Sequence, residues 1–90
     1  MVLELELYTR SICSDCQDAK NYLAAEGIQY KHKDVGKNLS LEEDLKKISG
    51  ARIVPFFAFY KKGLFGKRKL MKYFIGFENN KDEILSLVDK

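Results

Sequence analysis

An α/β fold, with a four-stranded mixed sheet and helices on both faces, is what the sequence predicts. Three observations carry it. Residues 2–8 alternate strictly, with Leu3, Leu5 and Leu7 on one side and Glu4 and Glu6 on the other, and a period of two means a strand. Ile12, Cys16, Ala19 and Leu23 then recur at helical spacing until Gly27 supplies a stop. Later, residues 55–60, dense in Phe and Tyr, and residues 70–75 flank a loop with two glycines, which reads as a hairpin.

The remaining elements follow in order. The first helix runs over about residues 14–26, and residues 28–34 make a second short strand, polar enough for a sheet edge. Ser40 and Glu43 form a capping box, opening a helix with Leu41, Leu45 and Ile48 on one face and Gly50 at its end. The hairpin loop covers residues 61–67. Asn80 with Glu83 is a second capping box, starting a last helix with Ile84, Leu87 and Val88 inward. The order is β-α-β-α-β-β-α. Helical links between the first three strands imply parallel neighbours and right-handed crossovers. If the first strand is central, Glu4 and Glu6 face a covered side and need a partner such as Lys46 or Lys47.

Ninety residues with mixed charged and apolar positions make one globular domain, residues 1–90. No apolar run approaches the ~20 residues of a membrane span, and the N-terminus shows no secretory leader. No membrane association is expected. The net charge of +3 is modest but lopsided. Between Leu45 and Phe77 every charge is positive: Lys46, Lys47, Arg52, Lys61, Lys62, Lys67, Arg68, Lys69 and Lys72. This block is either a solvated hairpin tip or a surface that steers acidic partners. No nucleic-acid motif accompanies it, so nucleic acid is not an expected partner.

The chemistry centres on Cys13-Ser14-Asp15-Cys16, which holds both cysteines of the chain. A zinc half-site is short of ligands, since His32 is the only histidine, and no metal is expected. A static disulfide closes a trivial loop and adds little. Ordinary core cysteines are a third reading, and a redox dithiol is the fourth. A cysteine at a helix start faces unpaired N–H groups and the positive end of the dipole, which favours the attacking thiolate. Arg10 supports that charge and Asp15 opposes it. Cβ atoms three apart on a regular helix lie about 5–6 Å from each other, and a disulfide needs about 3.8 Å. The bridge must therefore form at the distorted helix start. Cys13 would attack from the exposed turn and Cys16, one turn inside, would resolve. The only proline, Pro55, should start its strand beside the C-terminal end of the first strand, next to Cys13. A cis Val54–Pro55 bond would turn the Val54 backbone outward to pair with an extended peptide. A trans proline opening an edge strand is the plainer alternative.

With C-x-x-C after the first strand, Val54-Pro55 before the hairpin and Gly76 closing it, the chain resembles a glutaredoxin of the thioredoxin superfamily over nearly its whole length. The resemblance implies a thioredoxin-like fold and a thiol–disulfide oxidoreductase with Cys13 as nucleophile and Cys16 as resolving thiol. The C-x-x-C spacing without a visible leader suggests a cytoplasmic dithiol, and a monomer is expected. Its substrates would be disulfide-containing proteins or glutathione mixed disulfides. Glutathione contacts would map onto Arg10 for one carboxylate, Val54 and Pro55 for backbone pairing, and Gly76, Phe77 and Glu78 for the other carboxylate. Asp15 places a negative charge where an anionic tripeptide docks, and Phe77 is bulky where backbone should approach the ligand. Reduction by a thioredoxin-reductase-like flavoenzyme is therefore an alternative to glutathione. A glutathione-assisted dimer bridging a [2Fe–2S] cluster through Cys13 is another. His32, the Phe56, Phe57, Phe59, Tyr60 and Phe65 cluster, and Tyr8 read as surface, core and core.

Overall fold

The computed structural model describes residues 3–62 and 66–88, the side chains of Leu3 and Lys62 excepted. Val2 of the expected first strand and Gly63, Leu64 and Phe65 of the expected hairpin loop lie outside the described residues. The element order is β1 (Leu3–Thr9), α1 (Ser14–Ala25), β2 (Lys31–Asp34), α2 (Leu39–Ser49), β3 (Phe56–Lys62), β4 (Arg68–Ile75) and α3 (Lys81–Val88), with a short 3-10 turn, Glu78–Asn80, before α3. The strands form one sheet in the order β2-β1-β3-β4.

Alternation in β1 works as the sequence requires. Leu5 and Leu7 join Ala19 and Leu23 of α1, Phe57, Phe59 and Phe74 of the sheet, Phe77, and Ile84 of α3 in one core. Tyr8, Phe56 and Ala58 face the other way and pack with Val35 and with Leu45 of α2. Helices α1 and α3 thus cover one face and α2 the other. Burying large aromatic and branched side chains on both faces is the main stabilising term, at roughly 25 cal/mol per Å2 of apolar surface.

The strand directions correct one expectation. β1 and β2 are parallel, but β3 runs antiparallel to β1, with Phe56 opposite Tyr8. Arg52 O, two residues beyond the Gly50 cap of α2, accepts from Arg10 just past the end of β1, so the link after α2 already lies at that end of the sheet. The chain therefore re-enters the sheet at the end where β1 finishes, and the parallel arrangement is lost.

Three local expectations also change. Strand pairing of β2 begins only at Lys31, because Ile28 N–H donates to Leu23 O at 2.9 Å and belongs to the closure of α1. Gly27, at φ 68°, makes the left-handed turn that this closure needs. α2 is capped by Asn38, whose Oδ1 accepts from Ser40 N at 3.0 Å and Ser40 Oγ at 2.8 Å. Ser40 is consequently inside the helix and not its cap. The Asn80 amide turns back to donate to Ile75 O at 2.8 Å and Gly76 O at 3.0 Å, so it does not cap α3. The 3-10 turn runs straight into that helix instead.

Glu6 is 2% exposed on the central strand. Its partners are not Lys46 or Lys47, which are exposed. Lys33 Nζ, from the neighbouring strand β2, lies 2.8 Å from Oε1, and Arg68 Nη1, from β4 beyond β3, lies 2.7 Å from Oε2. Arg68 also reaches Glu4 at 3.3 Å, and Lys72 pairs with Glu83 at 3.4 Å. Part of the basic block is thereby neutralised within the chain. No helix among the described residues is long and apolar enough to cross a membrane.

Candidate active site

β1 ends at Thr9, and the turn through Arg10, Ser11 and Ile12 leads into α1 with Cys13 as its N-cap. Cys13 has extended backbone angles, φ −166° and ψ 104°, and stands just outside the regular helix. That position frees the pair from the helical Cβ spacing, and Cys13 and Cys16 are joined as a disulfide with Cα atoms 5.2 Å apart. Cys16 is fully buried, whereas Cys13 is half-buried. The Cys16 backbone N–H donates to Cys13 Sγ over 3.1 Å. In this oxidised form Cys13 Sγ occupies the place of the thiolate it becomes on reduction. A hydrogen bond aimed at that sulfur favours its charged form.

The antiparallel register brings the proline loop to the same end of the sheet. Cys13 Sγ lies 4.0 Å from Val54 O, and the Val54–Pro55 peptide bond is cis. Pro55 O accepts from Gly76 N at 2.8 Å, joining this loop to the end of β4. Arg10 Nη2 donates to Arg52 O at 3.1 Å and lies 3.4 Å from Glu42 Oε1 on α2. Arg10 and Gly76 are thus hydrogen-bonded to the 52–55 segment, whose Val54 carbonyl faces Cys13 Sγ.

Residues 76–78 complete the rim. Gly76 takes φ 93°, which turns the chain so that successive amides point toward α1. Asp15 accepts from both: Phe77 N donates to Oδ2 at 2.8 Å, and Glu78 N to Oδ1 at 3.3 Å. The bulk of Phe77 does not obstruct the rim. Its ring is buried, with centroids 5.9 Å from Phe57 and 5.8 Å from Tyr22. His32 lies exposed on edge strand β2, where its Nε2 pairs with the buried Thr9 hydroxyl at 2.6 Å.

A cysteine pair at a helix N-terminus, one sulfur half-buried and the other buried behind it, is built for reversible dithiol–disulfide chemistry, and the sheet and helices that hold it have a thioredoxin-like arrangement. The chain is a thiol–disulfide oxidoreductase. Among solved structures it is similar to a glutaredoxin from Archaeoglobus fulgidus, with TM-score 0.71 and 22% identity over 99% of this chain and 89% of that one. It is also similar to the Trichomonas vaginalis thioredoxin, with TM-score 0.65 and 22% identity over 91% of this chain and 74% of that one. A Plasmodium falciparum thioredoxin matches with TM-score 0.64 and 18% identity over 92% of this chain and 67% of that one. At these identities the likeness concerns the fold. The comparison with curated proteins finds no match. The glutaredoxin family model matches residues 5–58, more than half of the chain. This chain belongs to the glutaredoxin family.

Two of the groups expected to meet the carboxylates of glutathione already pair with carboxylates of the chain. The amides of Phe77 and Glu78 already hold the Asp15 carboxylate, and the Arg10 guanidinium faces Glu42. Reading along the sequence missed both roles. Asp15 stood out there only as a charge opposing a thiolate. Glu42 was overshadowed by Glu43 in the expected capping box, and its place in the first turn of α2 was the one signal available.

Proposed function

We propose that this enzyme reduces disulfides in protein substrates as a cytoplasmic monomer, with Cys13 as the attacking thiolate and Cys16 as the resolving thiol. The dithiol of a flavin-dependent reductase then restores it. The observation that carries the reading is the asymmetry of the pair: one sulfur half-buried beside the proline loop, the other fully buried behind it in sequence. Cys13 thiolate attacks one sulfur of the substrate disulfide. That S–S bond breaks, a mixed disulfide forms on Cys13, and the displaced thiolate takes a proton from water. Cys16, as thiolate, attacks Cys13 Sγ, which closes the Cys13–Cys16 bond and releases the second substrate thiol. The substrate gains two electrons and two protons, and the enzyme dithiol loses them. Val54, half-buried with its carbonyl 4.0 Å from Cys13 Sγ, offers backbone to an extended substrate segment.

The test is a cysteine-replacement pair on a protein disulfide. Cys13→Ser should abolish reduction, and Cys16→Ser should accumulate a covalent mixed disulfide visible by mass. Full turnover by the Cys13→Ser protein would refute the assignment. Supplying glutathione with its reductase, or a flavin-dependent reductase with its nicotinamide donor, identifies the source of electrons.

A further inference from the structure

Two donor groups near the C-x-x-C turn, the Phe77 and Glu78 amides and the Arg10 guanidinium, are each paired with a carboxylate of the chain. Asp15, between the cysteines, satisfies the Phe77 and Glu78 amides at 2.8 and 3.3 Å. Glu42 lies 3.4 Å from the Arg10 guanidinium, which also donates to Arg52 O at 3.1 Å. Beside the exposed Ser11 and Arg52, the turn and the proline loop present two large apolar side chains to solvent: Ile12 is 95% exposed and Ile53 is 56% exposed. Each sits immediately before a site residue, Cys13 or Val54.

We infer that Asp15 is a specificity-determining residue that selects protein dithiols and disulfides over anionic low-molecular-weight thiols. This rests on the oxidoreductase reading proposed above. A thiol carrying a carboxylate must displace Asp15 from two hydrogen bonds, and it meets that negative charge within the C-x-x-C turn. A neutral thiol or an uncharged peptide segment incurs neither cost, and the exposed isoleucines give a peptide apolar surface to cover. Asp15 takes no covalent part in the bond exchange, and any effect of its charge on Cys13 itself is common to both thiols and cancels in a ratio of their rates. With glutathione the exchange would run as two steps. One glutathione thiolate attacks the Cys13–Cys16 disulfide and forms a mixed disulfide on Cys13, while Cys16 leaves as thiolate. A second glutathione displaces Cys13, giving glutathione disulfide and a reduced enzyme. Two electrons pass from the two glutathiones to the protein.

The experiment compares glutathione with 2-mercaptoethanol, a neutral monothiol with the same chemistry, as reductants of the Cys13–Cys16 disulfide in the full chain. Rates are read by acid quench and maleimide-polymer gel shift. The quantity of interest is the ratio of the two rates in wild type, Asp15→Asn, Asp15→Ala and the same-helix control Asp18→Asn. Asp15→Asn keeps an acceptor for the two amides and removes only the charge, so it protects the fold. The ratio should rise about tenfold in Asp15→Ala, on the scale of one charge-assisted hydrogen bond, and by less in Asp15→Asn. Asp18→Asn should leave it unchanged, and glutathione diethyl ester should gain nothing from either Asp15 variant. A ratio within about twofold of wild type in both Asp15 variants overturns the inference, while reduction by dithiothreitol and turnover of a protein disulfide would leave the parent reading standing. A wild-type disulfide that no thiol can exchange overturns both.

Discussion

Cys16 donates its backbone N–H to Cys13 Sγ across 3.1 Å while its own side chain is fully buried. The same residue thereby supports charge on its neighbour's sulfur and withholds its own from solvent. After reduction, a limiting amount of iodoacetamide should label Cys13 at least about tenfold faster than Cys16, because reactivity follows thiolate character and exposure. Peptide mapping by mass spectrometry reads the ratio. Equal labelling of the two cysteines would contradict the division of labour assigned to them.

Arg10 links the end of β1 to the segment that leads into the proline loop, through its bond to Arg52 O at 3.1 Å. Its pairing with Glu42 is partly exposed and long at 3.4 Å, so its contribution to stability is small. Arg10→Ala should lower stability by less than about 1 kcal/mol in urea unfolding. Turnover of a protein disulfide should nevertheless fall several-fold, because the loop facing Cys13 loses a tether. A large stability loss with unchanged turnover would assign Arg10 to the fold alone.

Gly76 occupies a left-handed backbone position at φ 93°, with Pro55 O accepting its N–H at 2.8 Å. A Cβ there would find space, its nearest neighbours being Asp15 Oδ2 at 3.9 Å and Asn80 Nδ2 at 4.0 Å. Backbone strain, not crowding, therefore decides the outcome. Gly76→Ala should cost about 1–2 kcal/mol by chemical denaturation. The orientation of the Phe77 and Glu78 amides follows from this turn. The variant should consequently also lose activity beyond its effect on folding.

Elements with a strong period were legible in the sequence, since alternation in residues 2–8 and helical spacing up to Leu23 report burial directly. The placing of Pro55 beside Cys13 is correct, but it depends on β3 running antiparallel to β1, and the parallel neighbours expected from the helical links would have put it at the opposite end. The direction of β3 was not legible: helical links between strands say nothing about the residues between Ser49 and Phe56 that return the chain. The caps failed for a related reason. Asn38 and Ser40 both carry cap chemistry, and only the path of the loop after Asp34 decides which stands at the helix start. Asp15 was visible as a charge, but its partners are backbone amides 62 and 63 residues away. Backbone amides leave no mark in side-chain identity.

Glu6 titration gives the last prediction. Burial alone would raise its carboxyl, but the Lys33 ammonium and the Arg68 guanidinium outweigh burial and hold it below its ordinary value of 4.5. Lys33 is the converse. Burial would lower it, and bonds to Glu6 and Tyr8 keep it above its ordinary value of 10.5. A depressed carboxylate means that the folded chain binds fewer protons than the unfolded chain as acid is added. Its contribution to stability is complete above 4.5 and disappears as pH falls through the lower folded value. The Lys33 contribution has the opposite sign and persists until pH rises through its raised value. In Glu6→Gln the stability deficit at about pH 7 should be about 1–3 kcal/mol, the range for a hydrogen-bonded charge, with the half-exposed Arg68 adding little. Urea unfolding of both proteins at about pH 7 and at about pH 3 should show that deficit shrinking in acid, because wild type loses the charge that the variant never had. A deficit that stays constant across this range would mean that Glu6 contributes through packing and not through its carboxylate.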